Sequence, residues 1–148
     1  MRVRAADLPD IPAAAAVAAC SYAAAFAAIL EPESIAPFDA AFFAGRFTAA
    51  RDRLRVALHD GAIVGFCLMT AGHIDMIFVA PAAIGTGAGH ALLVDAQARG
   101  ARSLECFAAN TPARRFYERH GWHVVDRYSR LFAGGMRDFV RYERAGIG

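Results

Sequence analysis

Val79-Ala80-Pro81-Ala82-Ala83-Ile84-Gly85-Thr86-Gly87-Ala88-Gly89-His90-Ala91-Leu92-Leu93 is the stretch that decides the fold. The apolar run Ile74-Asp75-Met76-Ile77-Phe78-Val79 leading into it reads as a strand that Pro81 stops. Alternate glycines at 85, 87 and 89 then open a segment with Ala88, Ala91, Leu92 and Ala96 at helical spacing. Glycine lets the backbone approach a ligand closely, and a helix start adds unpaired N–H groups and partial positive charge. A strand, a glycine turn and a helix in that order suit a phosphate.

Spacing narrows the choice. The dinucleotide fingerprint needs glycine where His90 stands, and the nucleotide-triphosphate loop needs Gly-Lys-Ser/Thr in a chain whose 16 basic residues are all arginine. The segment resembles instead the acyl-CoA loop of the GCN5-related N-acetyltransferase (GNAT) family, in which Val-x-Pro closes a strand and (Gln/Arg)-x-x-Gly-x-(Gly/Ala) wraps the CoA pyrophosphate. Ile84 stands in place of the usual Gln or Arg, and Thr86 in place of a frequent basic residue. The resemblance assigns Ile84, Gly85, Thr86, Gly87, Ala88, Gly89 and His90 to CoA binding, through backbone more than side chain.

A second motif follows downstream. Asn110-Thr111-Pro112-Ala113-Arg114-Arg115-Phe116-Tyr117-Glu118-Arg119-His120-Gly121-Trp122 looks like the family's Asn-x-x-Ala-x-x-Phe-Tyr-x-x-x-Gly-(Phe/Trp) segment. Its local chemistry predicts a short helix, with Thr111 able to cap, Pro112 suited to the first position and Gly121 to the left-handed residue after the last turn. Asn110 is the only asparagine in the chain. The resemblance implies that Asn110 and Tyr117 contact CoA.

The 148 residues suffice for one domain, taken as a single N-acetyltransferase domain over 1–148. The hydrophobic share is 57%, but 35 of those residues are alanine, so the figure overstates the core. A net charge of +2 with scattered arginines gives no basic stripe and argues against nucleic acid. Cys20, Cys67 and Cys106 share no C-x-x-C spacing and read as free thiols of the cytoplasm. The uncharged run 13–30 is long enough to span a membrane, but alanine dominates it and Asp7 and Asp10 precede it, so a soluble helix is expected. His120 and His123 lack a third ligand nearby, and no metal is expected.

Arg2–Ala5 alternates as a first strand, residues 13–30 read as a helix broken by Glu31-Pro32-Glu33-Ser34, and a second helix covers Phe38 to Ala49, with Phe38 and Phe42 on one face. Segments 54–58 and 62–69 flank His59-Asp60-Gly61, a hairpin signal. Ser103–Phe107, His123–Tyr128 and Arg137–Tyr142 complete the strands, with Gly134-Gly135 as a loop. The expected class is α/β, and the family resemblance implies a mixed central sheet of about six to seven strands flanked by helices, in the order β-α-α-β-β-β-α-β-α-β-β.

The family resemblance implies transfer of an acetyl group from acetyl-CoA to an amine by direct attack. It assigns Tyr117 as the acid that protonates the departing sulfur, and main-chain atoms of Phe78 and Val79 to the donor site. The base is open among His73, Asp75 and a water. Alternation puts His73, Asp75, Ile77 and Val79 on one face of their strand and Ile74, Met76 and Phe78 on the other. An imidazole of ordinary pKa about 6.5 suits the task, and Asp75 could orient it. In this family the acceptor cleft lies by the first two helices, which brings in Tyr22, Phe26, Phe38 and Phe42 as an aromatic wall. The first expectation is a small-molecule amine. A protein amino terminus or lysine comes second, and a non-catalytic CoA-binding or interaction module, including a homodimer surface, stays open.

Overall fold

A computed structural model describes residues 1–144, arranged as one seven-stranded sheet carrying helices on both faces. The elements are β1 (Arg2–Ala5), α1 (Ile11–Phe26), α2 (Pro32–Ile35), α3 (Ala40–Ala49), β2 (Leu54–His59), β3 (Ala62–Thr70), β4 (His73–Val79), α4 (Ala88–Ala98), β5 (Ser103–Phe107), α5 (Thr111–Arg119), β6 (Trp122–Phe132) and β7 (Gly135–Arg144). Strands run in the order β1-β2-β3-β4-β5-β7-β6. Only β4 and β5 pair in parallel, and they do so over just two residue pairs, His73 with Ser103 and Ile74 with Leu104.

Both β2–β3 and β3–β4 turn tightly through Asp60-Gly61 and Ala71-Gly72, each pair at positive φ, as two-residue hairpins require. The closing hairpin turns at Ala133-Gly134, one residue earlier than the glycine pair suggested, and Gly135 already belongs to β7. The helical layer also differs from the sequence expectation. The first helix ends at Phe26, and the Glu31-Pro32-Glu33-Ser34 break itself forms the one-turn α2, because proline is tolerated at a helix start. The third helix begins after Phe38. Asp39 caps it by accepting from the Phe42 N–H at 2.9 Å, and the buried face is Phe43 and Phe47, leaving Phe42 exposed.

Two apolar clusters sandwich the sheet. On one side α1 and α3 pack Ala14, Ala15, Ala18, Phe43 and Phe47 onto Val56, Phe66 and Leu68. On the other, α4 and α5 pack Leu92, Leu93, Ala96 and Tyr117 onto Cys67, Ile74 and Leu104. By length and composition the helical stretch Leu8–Phe26 could cross a membrane. Its alanines instead let α1 lie close to the strands, since a small side chain brings backbones together. Arg55 on β2 holds Asp95 on α4 through two hydrogen bonds, 3.0 and 2.8 Å long.

The alternation expected for β4 fails at one place. Leu68 pairs with Met76 and Met69 with Ile74, so Asp75 is the extra residue of a β-bulge. Ile74 therefore packs with Ile77 and Val79 toward α4, while Met76 and Phe78 pack toward α1.

Candidate active site

Beyond Ile74 the two central strands part, and a cavity of about 1150 Å³ opens between them. That exceeds the roughly 300–1,000 Å³ of a single small-ligand pocket and suits two ligands meeting end to end. His73 through Val79, the glycine loop, α5 and the aromatic side chains of α1 and α3 all contribute to its lining.

Backbone direction along β4 follows from one hydrogen bond. The Ala80 N–H donates to Val64 O at 2.7 Å, so Ala80 faces β3, and by alternation Phe78, whose partner is Phe66, faces β3 too. The main-chain groups turned toward the parting from β5 are those of Ile77 and Val79. Of the two residues singled out in the sequence for donor atoms, Val79 turns its main chain to the gap and Phe78 does not, while its neighbour Ile77 does.

The loop after β4 keeps its backbone open. Gly87 precedes α4 at φ +92°, a left-handed conformation, and a Cβ there would meet nothing within 4 Å. Gly89 differs, because it lies inside α4, where a Cβ would come within 3.4 Å of the Phe116 ring. Ile84 is 73% exposed, and the Thr86 hydroxyl donates to Ala83 O at 2.6 Å. His90 Nδ1 lies 2.9 Å from His120 Nε2, and His120 Nδ1 lies 2.8 Å from Phe116 O.

On α5, Asn110 and not Thr111 is the cap, accepting from the Ala113 N–H at 3.4 Å, and Pro112 stands at the second helical position. Arg114 donates to Tyr142 Oη and Ala108 O, both at 3.0 Å, so it serves the fold. Tyr117 is buried yet lines the cavity, and burial pushes its phenol well above the ordinary range. Burial likewise pushes the neighbouring thiols of Cys67 and Cys106 up to about 12.

His73 and Asp75 do not meet. Asp75 accepts from the Thr70 hydroxyl at 2.5 Å and faces Arg53 at 3.5 Å, whereas His73 Nδ1 lies 2.9 Å from Ser103 Oγ. The bulge redirects Asp75, which takes away its expected part in orienting the imidazole. Near His73 the sequence reading overlooked Glu105 on β5, which receives the Tyr128 hydroxyl and the Arg130 guanidinium. Burial alone would raise the Glu105 carboxyl, but Arg130, Tyr128 and the charge of His73 outweigh it and hold the group below its usual range. Its sequence signal was slight: one acid among the apolar residues of a predicted strand.

The aromatic wall exists. Tyr22 stacks on Phe38 at 4.8 Å and meets Phe26 edge-on at 4.5 Å, and Phe38 meets Phe42 edge-on at 5.0 Å. Phe26 also packs on Phe107 at 4.9 Å, so it is core as well as wall. The Tyr22 hydroxyl is fully buried with no hydrogen-bond partner among the described residues, and burial pushes it up to about 12. Glu31, outside the wall, is held by Arg137 at 3.2 Å. Among the described residues no three His, Cys, Asp or Glu side chains gather as a metal site, and all three cysteines are free.

Residues 23–142 match the family model described as "Acetyltransferase (GNAT) domain". An uncharacterised N-acetyltransferase of Mycobacterium tuberculosis is 32% identical over 90% of this chain and 96% of its own length. The peptidyl-lysine N-acetyltransferase YiaC of Escherichia coli is 39% identical over a shorter stretch, 45% of this chain and 47% of that enzyme. Among solved structures, apo YjaB of E. coli superposes with a TM-score of 0.83 at 22% identity, covering 99% of this chain and 98% of that one. The PaiA N-acetyltransferase of Thermoplasma acidophilum, in complex with coenzyme A, superposes with a TM-score of 0.73 at 17% identity, covering 97% and 98%.

Proposed function

The chain belongs to the GNAT acetyltransferase family, and from that premise we propose that it moves an acetyl group from acetyl-CoA to the amine of a small molecule by direct attack. The observation that carries this is the single cavity joining the glycine loop, the parted β4 backbone, Tyr117 and the aromatic wall. The loop and the start of α4 take the diphosphate through open main-chain N–H groups, with Asn110 nearby. The Ile77 and Val79 main chain borders the acyl arm, and a donor there stabilises negative charge on the acyl oxygen. The complex of the similarly folded PaiA N-acetyltransferase with coenzyme A supports use of a CoA ligand.

In the reaction the amine nitrogen bonds to the acyl carbon, the carbon–sulfur bond breaks, one proton leaves the nitrogen and one joins the sulfur. Tyr117 supplies the second. Its phenol stays protonated at all neutral pH, and a thiolate formed in the same dry surroundings is raised too, as Cys67 and Cys106 are, which offsets part of the cost of drawing a proton from so weak an acid. His73 receives the first, directly or through water. With Nδ1–H donated to Ser103, its Nε2 keeps a lone pair for the task. No cysteine relay is invoked, because Cys67 is buried with a raised thiol.

The apolar aromatic wall favours an acceptor with an alkyl or aromatic body next to its amine. Likeness to the peptidyl-lysine acetyltransferase YiaC favours a lysine side chain as the second reading. Residues 1–148 are taken as one catalytic domain, supported by the family match over 23–142. The free cysteines support a reducing compartment, the cytoplasm. The test is titration of the protein with acetyl-CoA, followed by a thiol-release screen of small amines and lysine peptides. Binding at micromolar concentration with turnover of a small amine is expected. Turnover of peptides alone would transfer the assignment to the second reading, and no binding at millimolar ligand would overturn both.

A further inference from the structure

Resting on the acetyl-CoA reading, we propose that His90 and His120 act as one proton-sharing pair that holds the CoA diphosphate, taking up a proton as the ligand binds. The pair bridges the start of α4 and the end of α5, and both rings line the cavity beside Gly85, Gly87 and Gly89.

The protonation pattern follows from the partners. Phe116 O can only accept, so His120 Nδ1 carries hydrogen. In the neutral pair His120 Nε2 is then a lone pair, and His90 Nδ1–H must donate to it across 2.9 Å. That leaves His90 Nε2, which bonds to nothing in the protein among the described residues, as a bare lone pair. A lone pair repels a phosphate oxygen. One added proton reverses the chain: His120 becomes imidazolium, its Nε2–H donates to His90 Nδ1, and the hydrogen of His90 moves to Nε2 as an outward donor. The proton comes from the buffer, and the pair gains one positive charge.

The site favours this exchange. His120 caps the end of α5 at Phe116 O, where the helix field stabilises a cation, and anionic oxygens would face His90 at the start of α4. The sequence supplies the need as well. The loop from Ile84 to Gly89 carries no charged side chain, and the chain has no lysine. The charged groups around the pair are few. Arg119 on α5 lines the same cavity and opposes a second cation, and the first turn of α4 has no acid. The cavity carboxylates Asp75 and Glu105 are held by Arg53 and Arg130. Imidazole is the side chain able to change charge near neutrality.

The test is calorimetry of acetyl-CoA binding to the full-length chain from about pH 6 to about pH 8, in buffers of differing ionisation heat. Net proton uptake is expected, with affinity falling as pH rises by at most about tenfold per unit, the limit for one linked proton. Dephospho-CoA, which keeps the diphosphate, should behave alike; loss of uptake with it would assign the proton to the 3′-phosphate, whose second pKa is about 6, and overturn the proposal. His90→Gln and His120→Gln should each abolish the uptake, flatten the pH profile and weaken binding several-fold at about pH 6.5, with unchanged circular dichroism. Binding without uptake in the wild type, or uptake that survives both substitutions, overturns the pair while leaving acetyl-CoA use intact. No binding at any pH overturns the acetyl-CoA reading and the pair together.

Discussion

The two walls of the cleft between β4 and β5 are made of different material. The wall built by the glycine loop, α4 and α5 presents backbone at its loop, with Gly87 left-handed and open and Val79 and Ile77 turned toward the gap, beside the side chains of Tyr117, His90 and His120. The wall built by α1 and α3 presents rings: Tyr22, Phe38 and Phe42 lie along it, Tyr22 stacked on Phe38 and Phe42 edge-on to it, and continue inward as Phe26, Phe43 and Phe66. Backbone suits a ligand that is the same in every turnover, since main-chain donors do not depend on side-chain identity. Rings suit a ligand that varies, because one substitution reshapes the pocket without touching the loop.

If the walls divide the labour in this way, changes on the first should alter chemistry or CoA affinity and leave the acceptor site alone. Tyr117→Phe should cost the most. Turnover is expected to fall about 100-fold, in the range for a lost general acid, while the acetyl-CoA dissociation constant from calorimetry stays within about twofold. Equal losses in both would make Tyr117 a packing residue. Gly87→Val comes next, since a branched side chain at φ +92° strains the turn. Acetyl-CoA affinity should drop about tenfold, with the acceptor KM unchanged at saturating donor. Unaltered affinity would mean that the loop backbone does not hold the ligand.

The same division explains what the sequence made legible. The donor wall is written in spacing: Gly85, Gly87, the Pro81 stop and the segment from Asn110 to Gly121 have few alternative explanations, and the strand end, the glycine turn and the α5 helix all stand where that spacing put them. The acceptor wall was only half legible, because an aromatic residue serves core and pocket by the same chemistry. Phe42 and Phe43 adjoin in sequence, yet one is exposed and the other buried, a choice made by where Asp39 starts α3. The bulge at Asp75 carried no signal either. Its register depends on Leu68 and Met69 across the hairpin, and alternation along β4 alone paired His73 with the wrong partner. Glu105 acquired its role from Tyr128 and Arg130, some 23 and 25 residues away in sequence.

A smaller effect, on the ring wall, distinguishes packing from recognition. The Tyr22 hydroxyl is buried and, among the described residues, unpartnered, a condition that costs about 1–3 kcal/mol. Tyr22→Phe should therefore raise the melting temperature by roughly 2–4 °C for each kcal/mol recovered in a chain of this size, read by calorimetry. Acetyl-CoA affinity should not change. A fall in kcat/KM for the acceptor together with the gain in stability would identify the hydroxyl as an acceptor contact. A lower melting temperature would show that the hydroxyl has a partner in solution, and a change in acetyl-CoA affinity would break the separation of the walls.

The smallest effect concerns the strand where the walls meet. Glu105 lies on β5 with its carboxyl held below the usual range, chiefly by Arg130 and Tyr128 acting against burial. A lowered carboxyl contributes stability that is complete above its unfolded pKa of about 4.3 and disappears as pH falls through the folded value. Glu105→Gln should then lower stability at neutral pH by roughly 1 kcal/mol, modest because Arg130 is 43% exposed, and the difference from wild type should close below about pH 4. Urea melts at several pH values measure it. A difference independent of pH would mean that shape, not charge, fixes Glu105.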